Sequence, residues 1–164
     1  MRKRSKYRPK HVLTNPVAYV MESLTPISKH NDVLLTLKIK NSESMFSLLH
    51  GSATAIDMQI LRDMSNMTEA LCLMGFGEDY QNVMIKGRQA IFDIIERGKR
   101  IKKFGPTGLQ IGALNDLLEL HDAQMEIITV RDMEKAIALV KHKIMYAKDT
   151  IQLDIPEIKN GVLQ

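Results

Sequence analysis

The fold is decided in residues 54–77, which read TAIDMQILRDMSNMTEALCLMGFG. Thr54 with Asp57 three residues later resembles a capping box with the shorter acid, a signature of helix amino termini. The apolar residues that follow recur at helical spacing and form one stripe: Ile60, Leu61, Met64, Met67, Leu71 and Met74. Gly75 and Gly77 are expected to end this helix. The stretch therefore predicts a long amphipathic helix.

Two segments precede this helix. Asn15 and Pro16 read as a helix cap and a first turn, so a short helix is expected over residues 17–24. Residues 32–50 are ambiguous, because apolar positions 35, 37 and 39 alternate as in a strand, whereas positions 34, 37, 45, 48 and 49 fit one helical face. A helix is favoured, since a lone strand is not stable. The alternative is pairing of two strands, with residues 151–155 as the partner.

Three further helices are predicted downstream. The first spans residues 80–98, and Gly87 in its apolar stripe is a small spot that lets a neighbouring helix approach closely. Thr107 and Thr129 each begin a further capping box, ahead of the last two helices. Connections as short as these favour antiparallel neighbours. The predicted fold class is all-α: a helical bundle of about five helices with a flexible basic N-terminal arm and an irregular C-terminal tail.

Composition places the chain among ordinary globular proteins. Its 164 residues fit one domain with a core of normal size, and the apolar fraction of 45% is typical. Because there is no Trp and only four Phe, aliphatic side chains and eleven Met must fill the interior. We expect three parts: a basic flexible arm at residues 1–14, a single helical-bundle domain at residues 15–148 and a C-terminal tail at residues 149–164.

Cysteine content and hydropathy indicate a reducing compartment. Cys72 is the only cysteine, so neither an intramolecular disulfide nor a cysteine-based zinc cluster can form. No apolar run approaches the roughly 18 residues that a membrane span needs. Asn15 and Pro16 interrupt the segment in which a signal peptide would carry its apolar core. We therefore expect a soluble cytoplasmic protein with no membrane partner.

Positive charge is concentrated at the amino end of the chain. Six of the 23 Lys and Arg lie in residues 1–10, so 17 cations and all 19 Asp and Glu are found elsewhere. Such an arm neutralises several phosphates and releases their counterions, and Tyr7 adds stacking on an unpaired base. The nucleic-acid contacts predicted here are Arg2, Lys3, Arg4, Lys6, Tyr7, Arg8 and Lys10. The alternatives are a solvated tail without a ligand and an arm for an acidic protein surface.

A second basic concentration lies in the loop RGKRIKKFGPTG, residues 97–108. It precedes a helix amino terminus, where backbone N–H groups favour anions. Its predicted nucleic-acid contacts are Arg97, Lys99, Arg100, Lys102 and Lys103. The loop lacks the Gly-Lys-Ser/Thr ending of a phosphate-cradling P-loop, and the dinucleotide pattern GxGxxG is also absent. Nucleic-acid contact and plain capping of the preceding helix by cations remain as two interpretations.

No residue pattern predicts catalysis. Glu119, Asp122 and Glu126 share one helical face, and if enclosed they would bind Mg²⁺ or transfer protons, but such a row is usually solvated. His121 falls on an apolar stripe, which favours a core histidine hydrogen-bonded to backbone or to a carboxylate over a ligand or base. Cys72 is expected to be an inert buried thiol. We therefore predict a non-enzymatic protein with no catalytic residue, no metal and no cofactor.

The chain has more apolar residues than the helix stripes need. They lie at the end of one helix, off the stripe of the next and along the stripe of the third: Leu73, Phe76, Ile85, Phe92, Leu120 and Ile127. Such width suits either a central buried helix or a face reserved for a second subunit. A homodimer is therefore expected. The same surplus supports an alternative function, binding of a partner protein through surface residues such as Phe76 and Phe92.

Three segments carry a resemblance to a known group of proteins: MRKRSKYRPK at residues 1–10, NMTEAL at 66–71 and LNDLLELHDAQME at 114–126. Over most of residues 1–145 the chain resembles small, uncharacterised helical proteins of tailed bacteriophages and prophages that share a basic RRSKYRPK-like N-terminus. The resemblance implies a phage accessory factor in the cytoplasm of a bacterial host cell. It implies no activity and no binding residues, and residues 149–164 lie outside it.

Two functions therefore follow as predictions. The first is binding of nucleic acid, DNA in preference to RNA, with low sequence selectivity through the arm and the basic loop. The second is inhibition or redirection of a host protein complex, such as a transcription or defence complex, through an apolar helix face.

Overall fold

The computed structural model describes residues 16–146, and no β-strand is found within this range. Its α-helices are α1 (Pro16–Ser23), α2 (Asn31–Leu49), α3 (Ala55–Leu73), α4 (Gln81–Ile101), α5 (Gly108–Ile127) and α6 (Val130–Met145). Short 3-10 turns at Ile27–Lys29 and Glu78–Tyr80 precede α2 and α4. The predicted all-α helical bundle is confirmed. The predicted arm, residues 1–14, and the predicted tail, residues 149–164, lie outside the described residues.

The ambiguous segment at residues 34–40 is helical and belongs to α2. Packing against α3 explains this outcome, because a helix buries Leu34, Met45 and Leu48 on one side. The strand alternative is therefore wrong for residues 34–40. Its proposed partner, residues 151–155, lies beyond the described part of the chain.

The three predicted capping boxes are present. Thr54 N–H donates to Asp57 Oδ2 over 2.8 Å, and Asp57 N–H donates to Thr54 Oγ1 over 3.3 Å. Thr129 and Asp132 make the same reciprocal pair at the start of α6. Thr107 N–H donates to Gln110 Oε1 over 2.9 Å at the start of α5. Each box satisfies backbone donors that a helix end leaves unpaired, so three helix starts were correctly predicted from local chemistry.

Helix α3 is the central element of the bundle. It packs against α2, α4, α5 and α6. The larger core cluster joins α2, α3, α4 and α5 and includes Leu48, Met58, Leu61, Ile91, Ile94, Leu114 and Leu117. A second cluster joins α6, the 3-10 turn before α2, the start of α2 and the end of α5 to the carboxyl half of α3. It includes Ile27, Leu34, Leu71, Met125, Ile128 and Ala136. Helix α3 therefore has buried residues on several of its sides, as its central position requires.

Helices α4 and α5 approach each other closely at Gly87. A Cβ atom added to Gly87 would lie 2.6 Å from Cβ of Leu117 and 2.8 Å from its Cδ2, distances well inside van der Waals contact. Leu117 is completely buried. The predicted role of Gly87 as a small spot for a neighbouring helix is therefore confirmed, and the neighbour is α5.

Helix α4 extends beyond its predicted end near Gly98. It continues to Ile101, and Lys102 follows in the left-handed conformation with φ 57°. Gly98 is therefore not a helix terminator. A Cβ atom at this position would overlap the Phe104 ring. The glycine instead makes room for the aromatic ring, which is buried in the larger core cluster. The close contact between Gly98 of α4 and Phe104 of the following loop thus explains why a glycine occupies position 98.

Candidate nucleic-acid interface

The structure bears on only one of the two predicted basic segments. The arm residues Arg2, Lys3, Arg4, Lys6, Tyr7, Arg8 and Lys10 lie outside the described residues. The loop residues Arg97, Lys99, Arg100, Lys102 and Lys103 are described, on the last turns of α4 and in the connection to α5. The geometry divides these five cations into two groups.

Arg97 and Lys99 have partners within the protein. The Arg97 guanidinium donates to the carbonyl oxygen of Gly105 and to Oε1 of Gln110, the second at 2.9 Å. Gln110 also caps the start of α5, so Arg97 ties the end of α4 to the loop and to the next helix. Lys99 forms an exposed ion pair of 2.8 Å with Glu96. Arg97 therefore has a structural role that the sequence pattern did not indicate.

Arg100, Lys102 and Lys103 are exposed. Within residues 16–146 no ion pair to any of the three is observed. Lys103 reaches over Gly51, just past the carboxyl end of α2, with its Cε 3.3 Å from the point where a Cβ atom on Gly51 would lie. Its ammonium thus lies near the negative end of the α2 dipole. Lys103 therefore stabilises the carboxyl end of α2, and as an exposed cation it is also able to contact a phosphate group.

The basic loop is anchored to the core by Phe104. Its ring fills the space above Gly98 and contacts the larger core cluster. Together with the two hydrogen bonds from Arg97, this anchor gives the exposed cations a defined position. Sequence reasoning missed Phe104 and Gly98 as site-forming residues. The sequence signal is an aromatic residue inside a basic run, six positions after Gly98.

Replacement of Arg97 by alanine is expected to lower the free energy of unfolding by about 1–2 kcal/mol, because Gly105 and Gln110 lose their charged donor. Arg100→Ala is the matched control, since Arg100 is exposed on the same turn, and it should change stability by no more than about 0.5 kcal/mol. Urea unfolding monitored by circular dichroism measures both values. Equal stabilities of the two variants would contradict a structural role for Arg97.

The predicted core histidine is confirmed, although its partner is a hydroxyl group. His121 is buried, and its Nδ1 lies 3.1 Å from Thr68 Oγ1. Thr68 Oγ1 donates to the Met64 carbonyl oxygen at 3.0 Å, so the histidine Nδ1–H is the donor to Thr68. Burial, with a smaller contribution from the positive charge of Lys38, lowers the pKa of His121 to about 4. The imidazole is therefore neutral at pH 7.

The acidic row beside His121 does not form a metal cage. Glu126 makes an ion pair of 3.2 Å with Lys38 of α2. Burial raises the pKa of Asp122, the charge of Glu126 adds to this effect, and the charge of Lys38 opposes it. In the described range 16–146 no group of three or more His, Cys, Asp or Glu side chains is arranged to hold a metal ion.

Cys72 is buried, as predicted for an inert thiol. Burial raises its pKa, the charge of Glu69 adds to this rise, and a hydrogen bond from Gln124 opposes it. Gln124 Nε2 lies 3.3 Å from Cys72 Sγ and also donates to the Phe76 carbonyl oxygen at 2.7 Å. No sequence pattern indicates this buried amide, because a single Gln on a helix forms no repeat. Its contacts join α5 to the carboxyl end of α3.

Fewer residues of the predicted apolar surplus are exposed than the sequence suggests. Leu120 is buried, and Phe76 is half-buried and packs against the second core cluster, so Phe76 is not the open surface residue that was predicted. The remaining members are exposed: Leu73, Ile85, Phe92 and Ile127. Ile85 and Phe92 lie seven residues apart on α4 and therefore on the same side of that helix.

None of the helices in residues 16–146 combines the length and the apolar character that a membrane span requires. Comparisons of the chain with family models, with curated proteins and with solved structures gave no match.

Proposed function

We propose that this protein is a non-enzymatic phage accessory protein that binds nucleic acid with low sequence selectivity in the cytoplasm of a bacterial host. The observation that carries the proposal is the separation of charge: residues 1–10 hold six cations, whereas the remainder has 17 cations and 19 acids. A second concentration of exposed cations, Arg100, Lys102 and Lys103, lies on the anchored loop. Localised charge of this kind is typical of a phosphate-binding surface.

The contacts would be made chiefly with phosphates. Phosphate contacts carry no sequence information, so selectivity for a particular site is low. Each neutralised phosphate releases counterions, so the slope of log K against log salt is about −5 for the six arm cations alone. Adding Arg100, Lys102 and Lys103, the three exposed loop cations that form no ion pair within residues 16–146, would steepen that slope to about −8. Arg97 is left out of the contact set because its guanidinium is engaged within the loop.

Fluorescence anisotropy with duplex DNA, single-stranded DNA and RNA at two salt concentrations tests this proposal. Substitution of the six arm cations by alanine is expected to weaken binding and to reduce the salt slope by about 5. The triple variant Arg100→Ala, Lys102→Ala, Lys103→Ala should reduce the slope by about 3. DNA is the expected preferred ligand, and the RNA titration checks that preference.

The matched control removes the same number of positive charges, three, at positions outside the basic loop. Lys29, Lys86 and Lys141 are exposed and lie away from the basic loop in the chain, so their combined replacement by alanine removes three positive charges from the body. This variant should retain most of the affinity and nearly the full salt slope of the unaltered chain. Equal losses in the control and in the loop triple would show that only net charge matters and would remove the loop from the proposal.

A second candidate function rests on a different observation. Ile85 and Phe92 expose apolar side chains on one side of α4. Exposed apolar residues of this kind support a protein that binds and inhibits or redirects a host complex. That function needs neither the arm nor the loop. If the full chain binds none of the three nucleic acids, the first proposal fails and this second function takes its place.

A further inference from the structure

Helix α2 is apolar on two of its sides. The inward side buries Leu34, Met45 and Leu48 against the rest of the bundle. The other side carries four large apolar residues that remain open to solvent: Leu35 58%, Ile39 45%, Phe46 62% and Leu49 42% exposed. A helix with apolar residues on both sides is normally covered on both sides. The second side of α2 therefore lacks its covering element within residues 16–146.

The exposed residues follow the spacing of a coiled-coil seam. Leu35, Ile39, Ser42, Phe46 and Leu49 are separated by four, three, four and three residues. This is the alternation of the d and a positions of a heptad, the pattern that packs one helix along another. At 1.5 Å per residue the seam is about 21 Å long. Asp32 would occupy the preceding a position, so the apolar seam begins at Leu35.

The charges beside the seam indicate what covers it. Lys38 occupies a g position and Glu43 the e position five residues later, the relation in which two parallel copies of a helix form ion pairs with each other. In the antiparallel register that packs Ile39 against Leu49 and Ser42 against Phe46, Glu43 would face Glu43 of the other copy. Lys38 is held beside the seam by Glu126 of α5, with 30% of its side chain exposed. The charges therefore favour a second copy of this chain in parallel orientation.

We infer that two copies of the protein pack through the α2 seam, side by side and pointing in the same direction. A two-fold axis along the helices brings Leu35, Ile39, Phe46 and Leu49 of one copy against the same residues of the partner. Each Lys38 then lies opposite a Glu43 of the other copy. This surface differs from the apolar surplus on and beside α3, α4 and α5, on which the sequence-based expectation of a homodimer rests.

The inferred dimer also has a consequence for nucleic-acid binding, and this consequence rests on the proposed function. Lys103 reaches over Gly51 at the carboxyl end of α2, so the basic loop lies beside that end of the seam. In a parallel dimer both carboxyl ends of α2 meet at the same end of the assembly. Two copies of Arg100, Lys102 and Lys103 then lie at one end of the assembly, around its two-fold axis. An antiparallel dimer would separate them.

Sedimentation equilibrium of the full chain without nucleic acid tests the dimer. The unaltered chain is expected to dimerise at micromolar to sub-millimolar concentrations. Phe46→Glu, and independently Leu35→Glu, should raise the dimer dissociation constant by about 30-fold or more, because each substitution places two buried charges in the seam. Phe92→Glu is the matched control, since Phe92 is also an exposed aromatic residue on a helix, and it should leave the dissociation constant unchanged.

Oxidative cross-linking tests the orientation. Leu49→Cys should form a disulfide-linked dimer, because the two residues face each other only in the parallel arrangement. The unaltered chain, whose single cysteine Cys72 is buried, is the control and should remain uncross-linked. A product that appears only when Ile39→Cys and Leu49→Cys chains are mixed would overturn the parallel arrangement, because these a and d positions face each other in an antiparallel pair.

The possible failures can be told apart. A chain that remains monomeric at all these concentrations overturns the dimer, and the seam then has another occupant, such as a terminal segment of the same chain. Circular dichroism of Phe46→Glu and Leu35→Glu must match that of the unaltered chain, and loss of the dimer in either folded variant supports the inference. Dimerisation without nucleic-acid binding overturns the proposed function alone, whereas binding by a monomer overturns the dimer alone.

Discussion

Replacement of Gly87 by alanine is expected to lower the free energy of unfolding by about 3 kcal/mol, near the upper end of the usual cost of overpacking. The added methyl group would lie 2.6 Å from Cβ of Leu117. Because that atom is the first of the Leu117 side chain, no change of rotamer can move it away. Helices α4 and α5 must separate instead, and their separation disturbs the larger core cluster.

Gly112→Ala is the matched control for this prediction. Gly112 also lies within a helix, α5, but a Cβ atom there would have no neighbour within 4 Å. Alanine has a helix propensity about 1 kcal/mol better than that of glycine, so this variant should be more stable than the unaltered chain. Urea unfolding of both variants provides the measurement. Stabilisation of the protein by both substitutions would contradict the close approach of α4 and α5 at Gly87.

The stability of the protein is expected to decrease by about 3 kcal/mol as the pH falls from about 6.5 to about 4 because of His121 alone. Burial lowers the pKa of this side chain from 6.5 to about 4 in the folded protein. Between those values the unfolded chain binds a proton and the folded chain does not, so acid favours unfolding. Above pH 6.5 both states are neutral, and the contribution of His121 to stability is fully present.

Comparison with His121→Gln isolates this effect. The variant has no titrating group at position 121, so the difference in unfolding free energy between the two chains should depend on pH only between about 6.5 and 4. Taking the difference removes the contribution of Asp122, whose raised pKa acts in the opposite sense. Thr68→Val, which keeps His121 buried, should retain the pH dependence. A pH-independent difference between His121→Gln and the unaltered chain would show that His121 is not buried in the neutral form.

The helix starts could be predicted from the sequence because they depend on short-range chemistry. The boxes at Thr54, Thr107 and Thr129 each use a side chain only three residues away. The end of α4 could not be predicted in the same way. Gly98 is a common helix terminator in sequence terms, but its role depends on Phe104, whose ring occupies the space that a side chain would need.

The candidate site was predictable in part. The concentration of cations in residues 97–103 is visible in the sequence, but their roles are not. A side-chain contact with Gly105 and Gln110 assigns Arg97 to the loop framework. Solvent exposure leaves Arg100, Lys102 and Lys103 available. Charge is a property of each residue alone, whereas availability depends on what the fold places next to it.

The same distinction holds for the whole molecule. Helical periodicity and capping boxes are encoded within a few neighbouring residues, and they were sufficient to predict an all-α bundle. The uneven distribution of charge is also visible in the sequence. Packing decided what those patterns leave open: helix at residues 34–40, the burial of Leu120 and Phe76, and the second apolar side of α2. These outcomes depend on residues far apart in the chain, because only the folded bundle determines which apolar surface is covered.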